Sequence, residues 1–176
     1  MSVELLLRVL HILAAAALIG GVIFNYFLLR PALRFVPPAP AVVIGQRVGT
    51  AFTWLGWITL VILGLSGGLR LIVRNQFWLL FTPWEWSSNA GWALTIMFIA
   101  WLVTVGSAAW MTVILRPVLM SKLTVQSNPD LAAAEKRRAG QMAASLWLDR
   151  LQLVNVVFTI LAALAGSSVL YGGWFF

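Results

Sequence analysis

Residues 8–33 read RVLHILAAAALIGGVIFNYFLLRPAL, and the reading of this stretch decides the fold. The run from Val9 to Leu29 carries no charge, and as a helix it extends about 30 Å, the thickness of a bilayer's hydrocarbon core. It predicts a transmembrane helix. Steps of three or four residues from His11, the single histidine of the chain, lead through Ala14, Ala15, Leu18 and Gly21 to Asn25. His11 and Asn25 therefore share one face with small residues, and that face is expected to look inward.

A second stretch, LTIMFIAWLVTVGSAAWMTVILRPVL over residues 94–119, repeats the first with an offset of 86 residues. The offset superposes Leu29-Arg30-Pro31 on Leu115-Arg116-Pro117, Gly20 on Gly106 and His11 on Met97. Weaker similarity links LVILGLSGG at 60–68 with ILAALAGSS at 160–168. Two further apolar runs complete a set of four spans, approximately 5–29, 49–72, 91–115 and 151–172. The fold class is thus an all-α membrane protein, a four-transmembrane-helix bundle of two tandem two-helix repeats in one domain over 1–176. Gly20 and Gly106 are expected where helices approach closely, with Leu28 towards lipid.

Composition agrees. The 176 residues are 61% hydrophobic and 10% charged, against roughly 25% charged in soluble domains. A water-soluble fold is excluded. With no cysteine, disulfides and thiolate metal sites are excluded as well. The net charge of +7 sits beside hydrophobic runs and reads as membrane topology rather than nucleic-acid binding. The first run is longer than a signal-peptide core and ends in Arg30-Pro31, so it is expected to stay in the mature protein.

Between the spans, closely spaced prolines at 37, 38 and 40 turn the chain after the first helix. Trp78, Trp84, Trp86 and Trp92 cluster around Glu85 and suit a membrane interface. Asn128-Pro129-Asp130 is a good helix start, and Lys136, Arg137 and Arg138 near the far end predict a short helix over about 129–139 on the cytoplasmic membrane surface. Glu4 and Arg8 stand four apart and are placed to pair at the mouth of the first span. One face is shared by Thr50, Thr53, Trp54, Trp57 and Gly64 in span two, by Met97, Trp101, Thr104, Ser107 and Met111 in span three, and by Gln152, Asn155, Thr159 and Gly166 in span four. Of the twelve Lys and Arg residues, nine follow spans one and three and only Arg8, Arg70 and Arg74 lie on the other side. The positive-inside rule then puts both termini outside and the basic loops in the cytoplasm of an inner-membrane, multi-pass protein.

The stretches HILAAAALIGGVIFNYFLLRPAL and QRVGTAFTWLGWITLVILGLSGGLR resemble the integral-membrane domain of copper-resistance protein D (CopD). The motif maps onto His11, Gly20, Gly21, Arg47 and Gly64 to Gly68. More distantly the layout is similar to the HemJ-type four-helix proteins associated with haem. These resemblances imply a copper-handling or a haem-associated role.

No Asp or Glu lies within an apolar span, and there is no second histidine, so enzymatic catalysis has no visible constellation. An ionisable residue inside a span points to function, and His11 is that residue. Its imidazole either hydrogen-bonds a neighbour across the bundle or ligates a metal or tetrapyrrole. Three classes of function follow. In the first, a b-type haem occupies the outer half, with His11 and Met97 as axial ligands, Arg70, Arg74 and Tyr171 near the propionates, and a quinone or outer-side redox partner. In the second, copper is held by His11, Met97 and Met111. In the third, the chain is a non-catalytic accessory subunit of a larger respiratory or photosynthetic membrane complex, or a homo-oligomer in the lipid bilayer.

Overall fold

The computed structural model describes residues 3–77, 89–120 and 131–168, and all four long elements in it are helices. Helix α1 is Val3–Leu33, α2 is Pro38–Val73, α3 covers residues 89–120 and α4 is Leu131–Ser168. Each is long and apolar enough to cross a membrane, and the chain is a small multi-span integral membrane protein. Large apolar side chains stay exposed along every helix, among them Leu13, Leu28, Leu65, Val113 and Leu164. This is the surface that lipid tails solvate.

Helix α1 packs along α2, and α3 along α4, so the two predicted hairpins are the tightest units. Contacts of α1 with α4 and of α2 with α3 join them into a bundle. The core lies at mid-height, where Leu18, Val22, Leu60 and Val156 meet Phe52, Leu63, Trp101 and Val105. Buried hydroxyls satisfy themselves on their own helices: Thr59 donates to the Leu55 carbonyl at 2.8 Å and Thr104 to that of Ala100 at 2.8 Å. Between α2 and α3, Trp101 Nε1 donates to the Leu60 carbonyl and Trp57 Nε1 to Thr112 Oγ1, each at 3.1 Å.

The repeat reaches into backbone geometry. Both α1 and α3 widen into a π-turn, at Phe24–Leu29 and at Met111–Leu115. There the Arg30 N–H donates to the Asn25 carbonyl and the Arg116 N–H to the Met111 carbonyl, a pair of bonds that the 86-residue offset superposes. Each widening stands just before a proline, Pro31 or Pro117, whose ring clashes with the carbonyl four residues earlier and which has no N–H to offer it. An extra residue per turn also shifts the helical phase by about 100° just before each arginine.

The structure corrects several expectations. The surface helix at 129–139 is not separate from span four: α4 is a single helix of 38 residues, about 57 Å long, and outreaches the bilayer core. Its solvent-side half is rich in Ala, Leu, Lys and Arg, and Gly140 alone costs only about 1 kcal/mol, too little to break it. Glu4 pairs with Arg74 rather than Arg8, because the α1–α2 hairpin brings the end of α2 beside the start of α1. Trp54 is 66% exposed and does not share the inward face of Trp57. Gly20 and Gly106 are not contact points, since a Cβ on either would meet nothing within 4 Å. Gly20 borders a shallow groove with Ala17 and Leu55, while Gly21, about 100° further round α1, receives the Phe52 ring. The tightest approaches are Gly21 to Phe52 and Gly64 to Trp101, where a Cβ would stand 2.7 Å from a ring carbon. The tryptophan cluster apart from Trp92, the start of the surface helix and Tyr171 lie outside the described residues.

Candidate functional site

His11 sits on α1 with Ala14 and Leu18 below it on the buried face. Its ring turns towards α2, where Nδ1 lies 2.8 Å from Ser66 Oγ. The Cε1 edge rests on Gly67, whose hydrogen stands where a Cβ would be 3.3 Å away. Ser66 is buried, and its hydroxyl donates to the Ile62 carbonyl at 2.6 Å. A hydroxyl has one proton, so when that proton is on the Ile62 carbonyl Oγ accepts from a ring protonated at Nδ1; the ring also has a hydrogen bond to the Leu63 carbonyl. The Nε2 nitrogen then carries the lone pair. One ring nitrogen held by a hydrogen bond is a feature that metal-ligating histidines share with purely structural ones.

One turn beyond Ser66, Arg70 is within electrostatic reach of His11, Glu4, Arg8 and Arg74. Its Nε is buried and has no hydrogen-bond partner among the described residues, whereas Arg74 is engaged by Glu4. Met97 has its Sδ 3.5 Å from the Cβ position of Gly166 on α4. The two repeat-related residues thus make matching contacts, each inside its own hairpin, because the similarity of 60–68 to 160–168 superposes Ser66 on Gly166. Met111 is fourteen residues further along the same helix as Met97, about 21 Å away, and lies towards the other end of the bundle. His11, Arg70 and Arg74 are gathered at one end; Met111 is not with them.

That other end holds a cavity of about 410 Å³ between all four helices. Its inner wall is mostly apolar, with Leu18, Val22, Leu60 and Ala108 beside the polar Thr104 and Asn155, and its outer end carries Arg30, Arg116 and Gln46. In the sequence Arg30 and Arg116 read as topology signals, and nothing local to either shows that they line one space. The signal was present in the duplicated Leu-Arg-Pro, but the pairing of the arginines across a cavity depends on how the hairpins pack. Likewise Ser66 lay unmarked inside the Gly64 to Gly68 motif, 55 residues from the histidine it holds.

No protein-family model matches this chain, and neither a curated protein nor a solved structure matches it.

Proposed function

We propose that this membrane protein binds one b-type haem at the His11 end of the bundle and passes electrons between it and a quinone or a redox partner on that side. The observation that carries the reading is the Nδ1 hydrogen bond to Ser66, which leaves Nε2 as a basic ligand inside an apolar span. The buried Arg70 Nε is a donor lacking an acceptor, and a propionate would supply one. Met97, equivalent to His11 in the repeat, would be the second residue to hold the group if its side chain turned from Gly166 towards the first hairpin, and a thioether ligand raises a haem's reduction potential. A bound haem would supply reversible one-electron chemistry; the protein's part is the ligand, the counter-charge and the exclusion of water. The resemblance to CopD through His11, and of the layout to HemJ-type proteins, supports a role in this region of chemistry.

Copper is the weaker reading. Among the described residues no group of three His, Asp or Glu side chains is placed to hold a metal ion. Met97 and Met111 are too far apart along α3 for both to join His11 on one ion.

The test is the absorption and reduced-minus-oxidised spectrum of the purified native protein, with metal analysis, beside His11→Ala and Met97→Ala. A Soret band that disappears in His11→Ala is the expected result. A spectrum unchanged in Met97→Ala keeps the haem and removes the second ligand. Stoichiometric copper selects the copper reading, and the absence of both, with no binding of added haemin, leaves an accessory subunit.

A further inference from the structure

We propose that the cavity at the opposite end of the bundle binds a single-chain anionic amphiphile, with its acyl chain towards mid-bundle and its head group at Arg116. This rests on the cavity alone and stands apart from the haem reading. Its volume of about 410 Å³ falls in the range of small-molecule sites, roughly 300–1,000 Å³. Its lining changes character along its length, from Leu18, Val22 and Leu60 inside to Arg30, Arg116 and Gln46 at the end. A mostly apolar cavity with cations at its mouth complements one chain with one anionic head.

The charges at the mouth are unequal. Arg30 is engaged by Asp149. Arg116 donates one hydrogen bond, Nη2 to Thr50 Oγ1 at 2.9 Å, and among the described residues has no carboxylate within 4 Å. A guanidinium carries five donors in a planar fork, so a part-buried Arg116 retains the geometry to receive a carboxylate or phosphate. In a site of low dielectric an anion there replaces the solvation that burial removes. A second lining residue points to the same ligand: the Gln152 side-chain oxygen is buried and, among the described residues, accepts no hydrogen bond. A hydroxyl on the head group would supply the missing donor, as the glycerol of a lysophospholipid does. The two π-turns contribute by resetting the helical phase before Arg30 and Arg116, so the repeat delivers both cations to one cavity.

The shared ligand chemistry is an acyl chain with an anionic head, from a free fatty acid or from a membrane lysophospholipid. Native mass spectrometry of the detergent-solubilised full chain, titrated separately with oleate, lysophosphatidylglycerol, lysophosphatidylcholine and inorganic phosphate, distinguishes the sources by mass. The expected result is one equivalent of oleate or of lysophosphatidylglycerol retained, whichever is the source, over lysophosphatidylcholine. Arg116→Gln should weaken that binding roughly tenfold or more, the scale of a lost charge-assisted hydrogen bond. Gly56→Leu gives a second, independent reading: Gly56 lines the cavity and a Cβ there meets nothing within 4 Å, so the larger side chain starts in open space and takes up room that the acyl chain needs. It should abolish retention. Arg47→Gln, exposed and outside the cavity, should leave binding unchanged. Retention that is equal for anionic and zwitterionic lipids, that survives both Arg116→Gln and Gly56→Leu, or that inorganic phosphate reproduces alone, overturns the proposal.

Discussion

Ser66 Oγ lies 2.8 Å from His11 Nδ1 and is held there by its own bond to the Ile62 carbonyl. The imidazole is thereby oriented by a residue that contributes no ligand. In a double-mutant cycle of His11→Ala and Ser66→Ala, followed by thermal unfolding in detergent, the pair should show a coupling of about 0.6–1.7 kcal/mol, the range of interhelical side-chain bonds in membranes. Soluble proteins lose about 1–3 kcal/mol on orphaning a buried group, but the unfolded chain in a membrane finds other partners, so the smaller value decides. Additive effects of the two substitutions would show that the bond does not hold the ring.

Gly64 and Gly106 should respond in opposite directions to the same substitution. At Gly64 a methyl meets the Trp101 ring at 2.7 Å and threatens the Trp101 bond to the Leu60 carbonyl, so Gly64→Ala should destabilise by about 1–3 kcal/mol. At Gly106 the methyl enters open space, and Gly106→Ala should stabilise by up to about 1 kcal/mol through helix propensity. Melting temperatures of the two variants in one detergent check this, and equal shifts would contradict the packing of α2 on α3.

The two ion pairs should differ in worth and in salt sensitivity. Glu4 and Arg74 are 41% and 49% exposed, and Glu4→Gln should cost no more than about 1 kcal/mol, most of it gone in 1 M salt. Arg30 is 23% exposed and Asp149 57%, so Asp149→Asn, which leaves the less exposed guanidinium without its carboxylate, should cost about 1–2 kcal/mol with a weaker salt dependence. Unfolding midpoints at low and high ionic strength compare them; a larger loss at Glu4 would reverse the ranking.

Orientation can be read from two single cysteines in a chain that has no other. Phe35, in the turn after α1, is 91% exposed, and Gln76, past the end of α2, is exposed as well. With nine of twelve basic residues following spans one and three, Gln76→Cys should react with an impermeant maleimide in intact cells and Phe35→Cys only after permeabilisation. The opposite pattern would place the His11 end in the cytoplasm.

The number of spans, their helical nature and the tandem repeat followed from the sequence alone, because a bilayer forces every backbone polar group to be satisfied within its own helix and sets the length of apolar run that must do it. Burial of Ala14, Leu18, Asn25, Thr104, Ser107, Asn155 and Thr159 was legible for the same reason, as periodicity puts small and polar residues on the face turned from lipid. Which residues meet across helices was decided only by tertiary structure. A rotation of about 100°, one residue, separates Gly21 in contact from Gly20 in the open, and no local pattern specifies it. The partnership of His11 with Ser66, the convergence of Arg30 and Arg116 on one cavity and the choice of Arg74 for Glu4 all depend on how two hairpins dock. That docking is governed by the shapes of ring and glycine surfaces in van der Waals contact, a property of the packed bundle that hydropathy does not encode.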